Sequence, residues 1–157
     1  MGYKVDEFGF VRDYAMRTDY NLTHLSDNRY NVTQLINSAV GLLIIPTERL
    51  IKHDMLEYTD DDLYKLLSSK ITKNTYKCEQ PYPSLNRIIS HIRNCICHGK
   101  LDLKLDNKGN IDTIVINDNP PCKKEPVLQM ELTVGDFTAI YSSFLKALNN
   151  NPKISNK

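Results

Sequence analysis

The segment from Ser84 to Gly99 constrains the fold of this chain more than any other. Leu85, Ile89, Ile92 and Ile96 recur at i, i+4, i+7 and i+11, a spacing that lines one side of an α-helix with apolar side chains. Such a stripe must be buried against another element, and Gly99 supplies a residue suited to the left-handed cap that ends a helix. Arg87, His91, Asn94 and His98 repeat the same spacing two residues later, roughly 200° around the axis. The helix therefore carries a core face and an opposed basic and polar face.

Most of the remaining chain reads as helix too. Phe8, Val11, Tyr14, Ala15, Leu22 and Leu25 fit a first helix over residues 6–25. Asn28 and Asn31 break it, and Val32, Leu35, Ile36, Ala39, Val40, Leu43 and Ile44 form a second, largely apolar one that Pro46 stops. Helical character continues through Leu50, Ile51 and Leu56. Thr59 is placed to cap a short helix containing Leu63, Leu66 and Leu67, followed by a polar, lysine-rich loop over 70–83 that carries Tyr76 and Tyr82. After the central helix, Leu101, Leu103 and Leu105 alternate with polar residues up to Asp106–Asn110. Ile111–Ile116 resumes the apolar pattern, so 101–116 is expected to be a β-hairpin. A short strand is expected over Val127–Leu132, then a last helix through Leu148 capped by Thr133 and Asp136. The expected fold class is mainly α, a helical bundle with a small β-hairpin and strand addition after the central helix. One domain is expected over 1–150, with a polar tail at 151–157.

At 157 residues the chain is long enough to bury a core without staples. Its longest apolar run, Ala39–Ile45, is interrupted by Gly41 and is too short for a membrane span. The N-terminal residues hold acids and no apolar signal core, so a cytoplasmic protein with no membrane partner is expected. The net charge of +1 conceals an asymmetry. Residues 1–62 hold 6 basic and 11 acidic side chains, net −5, whereas 63–100 hold 7 basic side chains against Glu79 alone, net +6. A polyanion is drawn to the middle segment. Lysines that merely solvate helix faces and loops account for the same pattern.

Neither the cysteines nor the acids point to a metal. Cys78, Cys95, Cys97 and Cys122 contain no C-x-x-C pair, and Cys95 and Cys97 point roughly 200° apart on a helix. Reduced thiols in a cytosolic protein are the simpler expectation. Asp60, Asp61 and Asp62 resemble a ligand cluster, yet a helix N-terminus explains them through its dipole and orphan N–H groups. No metal and no cofactor are expected.

The chemistry converges on the end of the central helix. Cleaving RNA without a metal requires a base for the 2′-hydroxyl proton, an acid for the leaving 5′-oxygen, and positive charge on the phosphorane-like transition state. Histidine titrates where such proton transfer is useful, and arginine presents planar donors matched to phosphate oxygens. Arg93, Asn94 and His98 group these types. Asn94 and His98 share a face, whereas Arg93 lies roughly 140° from His98 around the axis. Periodicity alone does not separate this group from an ordinary solvated face, and a histidine before a capping glycine also complements the helix dipole.

Arg93-Asn94-x-x-x-His98, followed by Gly99, resembles the R-N-x-x-x-H form of the HEPN superfamily. The stretches Leu35–Pro46 ("LINSAVGLLIIP") and His91–Lys100 ("HIRNCICHGK"), and the closing order of strand and capped helix, resemble short prokaryotic HEPN proteins of the plasmid and phage-conflict type. The resemblance implies a helical bundle that forms a homodimer through the motif helix. It also implies metal-independent endoribonuclease activity leaving a 2′,3′-cyclic phosphate, in toxin or anti-phage roles. His98 would be the general acid–base, Arg93 would stabilise phosphate charge, and Asn94 would position the phosphate or the imidazole. Toxins of this superfamily that pair with a nucleotidyltransferase antitoxin carry a tyrosine two residues after the histidine. Lys100 stands there in this chain, which weighs against that particular partner, while another antitoxin or regulatory partner stays open.

Around the motif, Arg87, His91 and Lys100 are candidate contacts to an RNA backbone, and Tyr76 and Tyr82 are candidates for stacking on a base. Two other functions compete. A non-catalytic dimeric RNA-binding or protein-interaction module predicts salt-dependent binding without cleavage. A hydrolase built on Asp60, Asp61 and Asp62 predicts loss of activity on chelation.

Overall fold

A computed structural model describes residues 59–76, 82–119 and 127–150, together with Asp13, Tyr14, Met16, Arg17, Thr18, Tyr20, His24, Gln34, Asn37 and Ser38. Those ten scattered residues are helical, and the rest of the expected helices over 6–25, 32–44 and 50–56 lies outside the described residues, as do the 120–126 loop and the tail. The chain divides into two compact units, 1–59 with 141–157, and 60–140. The second unit contains the motif and is described almost throughout.

Its first helix, α1 (Asp61–Ser69), begins at Asp60, whose carboxylate accepts a hydrogen bond from the Leu63 N–H at 2.9 Å. The capping residue is thus Asp60 rather than Thr59. Asp61 and Asp62 sit exposed in the first turn, where they complement the dipole. Leu63 and Leu67 are buried, and α1 packs against the central helix α2 (Leu85–Cys97).

The α2 core face is broader than its four-residue stripe. Leu85, Ile88, Ile89, Ile92 and Cys95 are all buried, whereas Ile96, nearer the helix end, is only half-buried. Each fully buried isoleucine contributes roughly 1.5–3 kcal/mol of transfer free energy. Truncating Ile92 to alanine is therefore expected to cost roughly 2–5 kcal/mol once the residual cavity is included.

Four antiparallel strands form one sheet: β1 (Ile71–Asn74), β2 (Leu101–Leu105), β3 (Ile111–Asp118) and β4 (Leu128–Thr133), in the order β1-β4-β3-β2. The register pairs Ile114 with Leu132 and Ile116 with Met130. These four side chains share one face and are fully buried. Helix α2 packs on β3. Strand β4 runs directly into the last helix, α3 (Val134–Asn149). At that junction the Thr133 N–H donates to Asp136 Oδ2 at 2.7 Å and the Asp136 N–H donates to Thr133 Oγ1 at 3.2 Å, the expected reciprocal cap. Lys70 adds its Nζ to the same Asp136 oxygen at 3.2 Å.

This sheet overturns the expected helical bundle with a small β addition. The hairpin and the later strand do form, but they are the middle and one edge of a four-stranded sheet rather than an appendage. The difference arises at β1, which lies in what reads as a polar loop. Ile71-Thr72-Lys73-Asn74 is too short and too polar to show alternation, and it becomes a strand by lending backbone groups to β4. Its partners lie far along the chain, as with the Thr72 hydroxyl that donates to the Gln129 carbonyl at 3.2 Å.

Candidate active site

The end of α2 is closed by a defined cap. The Lys100 N–H donates to the Cys95 carbonyl at 2.8 Å and the Gly99 N–H to the Ile96 carbonyl at 3.3 Å, while Gly99 takes φ +62°. This is the Schellman arrangement, with Gly99 at the left-handed position. It leaves His98 as the capping residue, with its imidazole exposed at the last turn. The helix C-terminus there carries partial negative charge.

One turn earlier, Arg93 and Asn94 are joined. Nη2 of Arg93 donates to Oδ1 of Asn94 at 2.8 Å, and both residues are half-buried. This bond addresses the angular gap between Arg93 and His98. Asn94 and His98 are one turn apart on the same face, and the guanidinium is bonded to the Asn94 amide. The three residues of the motif thus occupy one end of one helix, with a fixed cation and an exposed imidazole.

The surrounding candidates separate into two groups. Arg87 and Tyr82 are exposed near the start of α2, and Tyr82 is 55% accessible. Lys100 is half-buried, and its Nζ donates to the Asn119 carbonyl at 2.6 Å, which ties the residue after the cap to the end of β3. His91 does not face solvent. It is buried, its Nδ1 lies 2.5 Å from Oδ2 of the buried Asp118, and the Tyr76 ring sits 4.8 Å from it at a 36° tilt. Tyr76 is itself half-buried, and its N–H donates to Asn74 Oδ1 at 3.0 Å. The expectation that His91 touches an RNA backbone does not fit this position. Tyr76 covers an imidazole.

Asp118 is the residue that sequence reasoning missed. It follows Ile114 and Ile116 at two-residue spacing, so alternation puts an acid on the core face of a strand, and a buried acid requires a partner. Cys95 lies nearby on α2, and burial, with Asp118 second, pushes its thiol up to about 12. It is a packing residue rather than a nucleophile. Cys97 is exposed; Cys78 and Cys122 lie outside the described residues. Among the described residues, no three His, Cys, Asp or Glu side chains are grouped as a metal site requires, and no helix is long and apolar enough to cross a membrane.

The family described as HEPN pEK499 p136 matches residues 1–155, and the chain belongs to this HEPN family. Membership points to a nuclease or RNA-related function at the coarse level. No curated protein and no solved structure matches the chain.

Proposed function

We propose that the protein is a metal-independent endoribonuclease of toxin or anti-phage type, cleaving RNA by attack of the 2′-hydroxyl to leave a 2′,3′-cyclic phosphate. The observation that carries this reading is the Arg93–Asn94 hydrogen bond one turn before an exposed His98 at a rigidly capped helix end. His98 acts as the general acid–base. Arg93 faces the charge that develops on the phosphorus oxygens, and Asn94 orients Arg93. An in-line displacement needs proton transfer on both sides of phosphorus, which one imidazole serves poorly. A second copy of the chain, meeting the first at the motif helix, supplies the other His98. Arg87 and Lys100 contribute positive charge along the path of the RNA backbone, Tyr82 is exposed and able to stack on a base, and the protein works in the cytoplasm.

The test is incubation of purified protein with RNA in the presence of EDTA, followed by analysis of the 3′ ends. Cyclic phosphate ends are expected, with a loss of roughly 10²–10⁴-fold in rate for His98→Ala. An undiminished rate in His98→Ala overturns the assignment. RNA binding that falls with salt, without cleavage under any condition, supports a non-catalytic module instead.

A further inference from the structure

Strand β2 is an edge of the sheet, and its pattern is unusual for an edge. Natural edge strands are kept from pairing with other chains by brevity, charged side chains, proline or a bulge, and of these β2 carries only Asp102 and Lys104, of opposite sign. The irregularity in the β2–β3 ladder falls where Lys104 pairs with Thr113 and Leu105 with Ile111, so the extra residue, Asp112, is on β3 and β2 runs uninterrupted. Leu103 is 49% exposed and Leu105 60% exposed, although Ile114, the cross-strand partner of Leu103, is fully buried and Ile111, that of Leu105, is half-buried. The core face of the sheet thus runs out into solvent along a row of leucines.

The outward backbone groups can be identified from the ladder. The Asn117 N–H donates to the Lys100 carbonyl at 3.4 Å, and hydrogen-bonded positions alternate in an antiparallel pair. Asp102 and Lys104 therefore spend their N–H and C=O groups on β3. Those of Leu101, Leu103 and Leu105 point to the free edge. Among the described residues, no strand takes them up.

We propose that this edge pairs with the same edge of a second copy of the chain, antiparallel about a two-fold axis through Leu103. Leu101-Asp102-Leu103-Lys104-Leu105 is its own antiparallel complement. The axis sets Leu103 opposite Leu103 of the partner copy, Leu101 opposite Leu105, and Asp102 opposite Lys104. On one face six leucines meet and close over the exposed margin of the core. On the other, two opposite-charge pairs form, at non-hydrogen-bonded positions where side chains approach most closely. Both charges are already held over that face, Asp102 by the Asn117 amide at 3.1 Å and Lys104 by Glu131 at 2.8 Å. The outward groups of Leu101, Leu103 and Leu105 bond to those of the partner, giving one continuous eight-stranded sheet. A generic extended peptide satisfies the backbone but not the leucine row and both charge pairs together. This surface lies along β2, which begins three residues after His98, and none of its pairings uses a residue of the proposed chemistry.

The test measures mass by light scattering over a concentration series, with amide exchange of Leu103 and Leu105 followed by NMR. Wild-type mass is expected to double with concentration, with both amides becoming protected as it does. Leu103→Lys places two like charges on the axis, at a side chain already half in solvent, and is expected to halve the mass and expose both amides. Asp102→Lys is expected to weaken association, and adding Lys104→Asp to restore it. In an assembly that also pairs through the motif helix, Leu103→Lys is expected to leave the mass of that dimer alone, whatever larger size the wild type reaches. Wild-type protein with both amides unprotected at high concentration overturns the proposal. So does a Leu103→Lys variant with unchanged mass, whether another face or another ligand accounts for the assembly.

Discussion

His91 on α2 and Asp118 at the end of β3 form a buried hydrogen-bonded pair, Nδ1 to Oδ2 at 2.5 Å, under the ring of Tyr76. It fastens the motif helix to the sheet by a directional contact beside the apolar packing of Ile88, Ile89 and Ile92. Asp118→Ala strands the imidazole without its acceptor, and an unsatisfied buried donor costs roughly 1–3 kcal/mol. For a chain of this length that is a fall of roughly 3–10 °C in Tm. Thermal unfolding followed by circular dichroism checks it. A Tm unchanged in Asp118→Ala means that the pair adds nothing.

Gly99 holds φ +62° at the helix cap, with no atom near enough to collide with an added Cβ. The cost of Gly99→Ala is therefore backbone strain alone, about 1 kcal/mol in chemical denaturation. Because the cap fixes the last turn, RNA cleavage is expected to fall by more than the fraction of protein unfolded. Cleavage in proportion to the folded fraction sinks this prediction.

Cys95 and Cys97 are expected to differ in reactivity. With its thiol pushed up to about 12 by burial, Cys95 holds almost no thiolate at pH 8 and is expected to resist iodoacetamide in the native protein, whereas exposed Cys97 is alkylated. Fragment-ion mass spectrometry of the tryptic peptide Asn94–Lys100, which holds both, distinguishes them. The same shift is linked to stability. A group whose folded value is raised stabilises the fold fully below its unfolded value of 9.0, and that contribution is lost as pH rises toward about 12. Alkaline unfolding that begins above pH 9 and is delayed in Cys95→Val is the expected signature.

Asp106 organises the β2–β3 loop. Its Oδ1 accepts from the N–H groups of Lys108 and Asn110, each at 2.8 Å, while Gly109 takes φ +81°. The Asn110 N–H, then the Asn110 side chain, hold the Asp106 carboxyl below its ordinary value. A lowered folded value stabilises the hairpin above the ordinary carboxylate range, and this is lost as pH falls through the folded value. Faster amide exchange at Lys108 and Asn110 is expected in Asp106→Ala at neutral pH, and in the wild type only under strong acid. Equal protection in both proteins contradicts the assignment.

Elements written in local pattern were legible from the residues. The α2 stripe, the 101–116 hairpin and the Thr133–Asp136 cap each depend on neighbours within about one or two turns, and each forms as its spacing implies. What escaped depends on partners distant in sequence. Ile71–Asn74 is a strand only because β4 lies beside it, and His91 is a core residue only because Asp118, 27 residues on, meets it. Helical periodicity put His91 on the polar face with Arg87 and Asn94 and had no means of knowing that β3 would reach that side. The relation of Arg93 to His98 is a different case. Angles around a helix describe where Cβ points, and a long side chain hydrogen-bonded to Asn94 departs from that direction.

The strand order gives this sheet a quick side and a slow side. The hairpin β2–β3 closes through the five residues 106–110 and needs little chain entropy. Strand β1, at the opposite edge, waits on β4, whose hydrogen-bonding partners lie 57 residues away in the pair Thr72–Gln129. During synthesis or refolding the leucine row of β2 is therefore displayed before the far edge is sealed. A ribosome-bound chain exposes that row while its own sheet is still incomplete, so neighbouring nascent chains can meet there before either has finished folding.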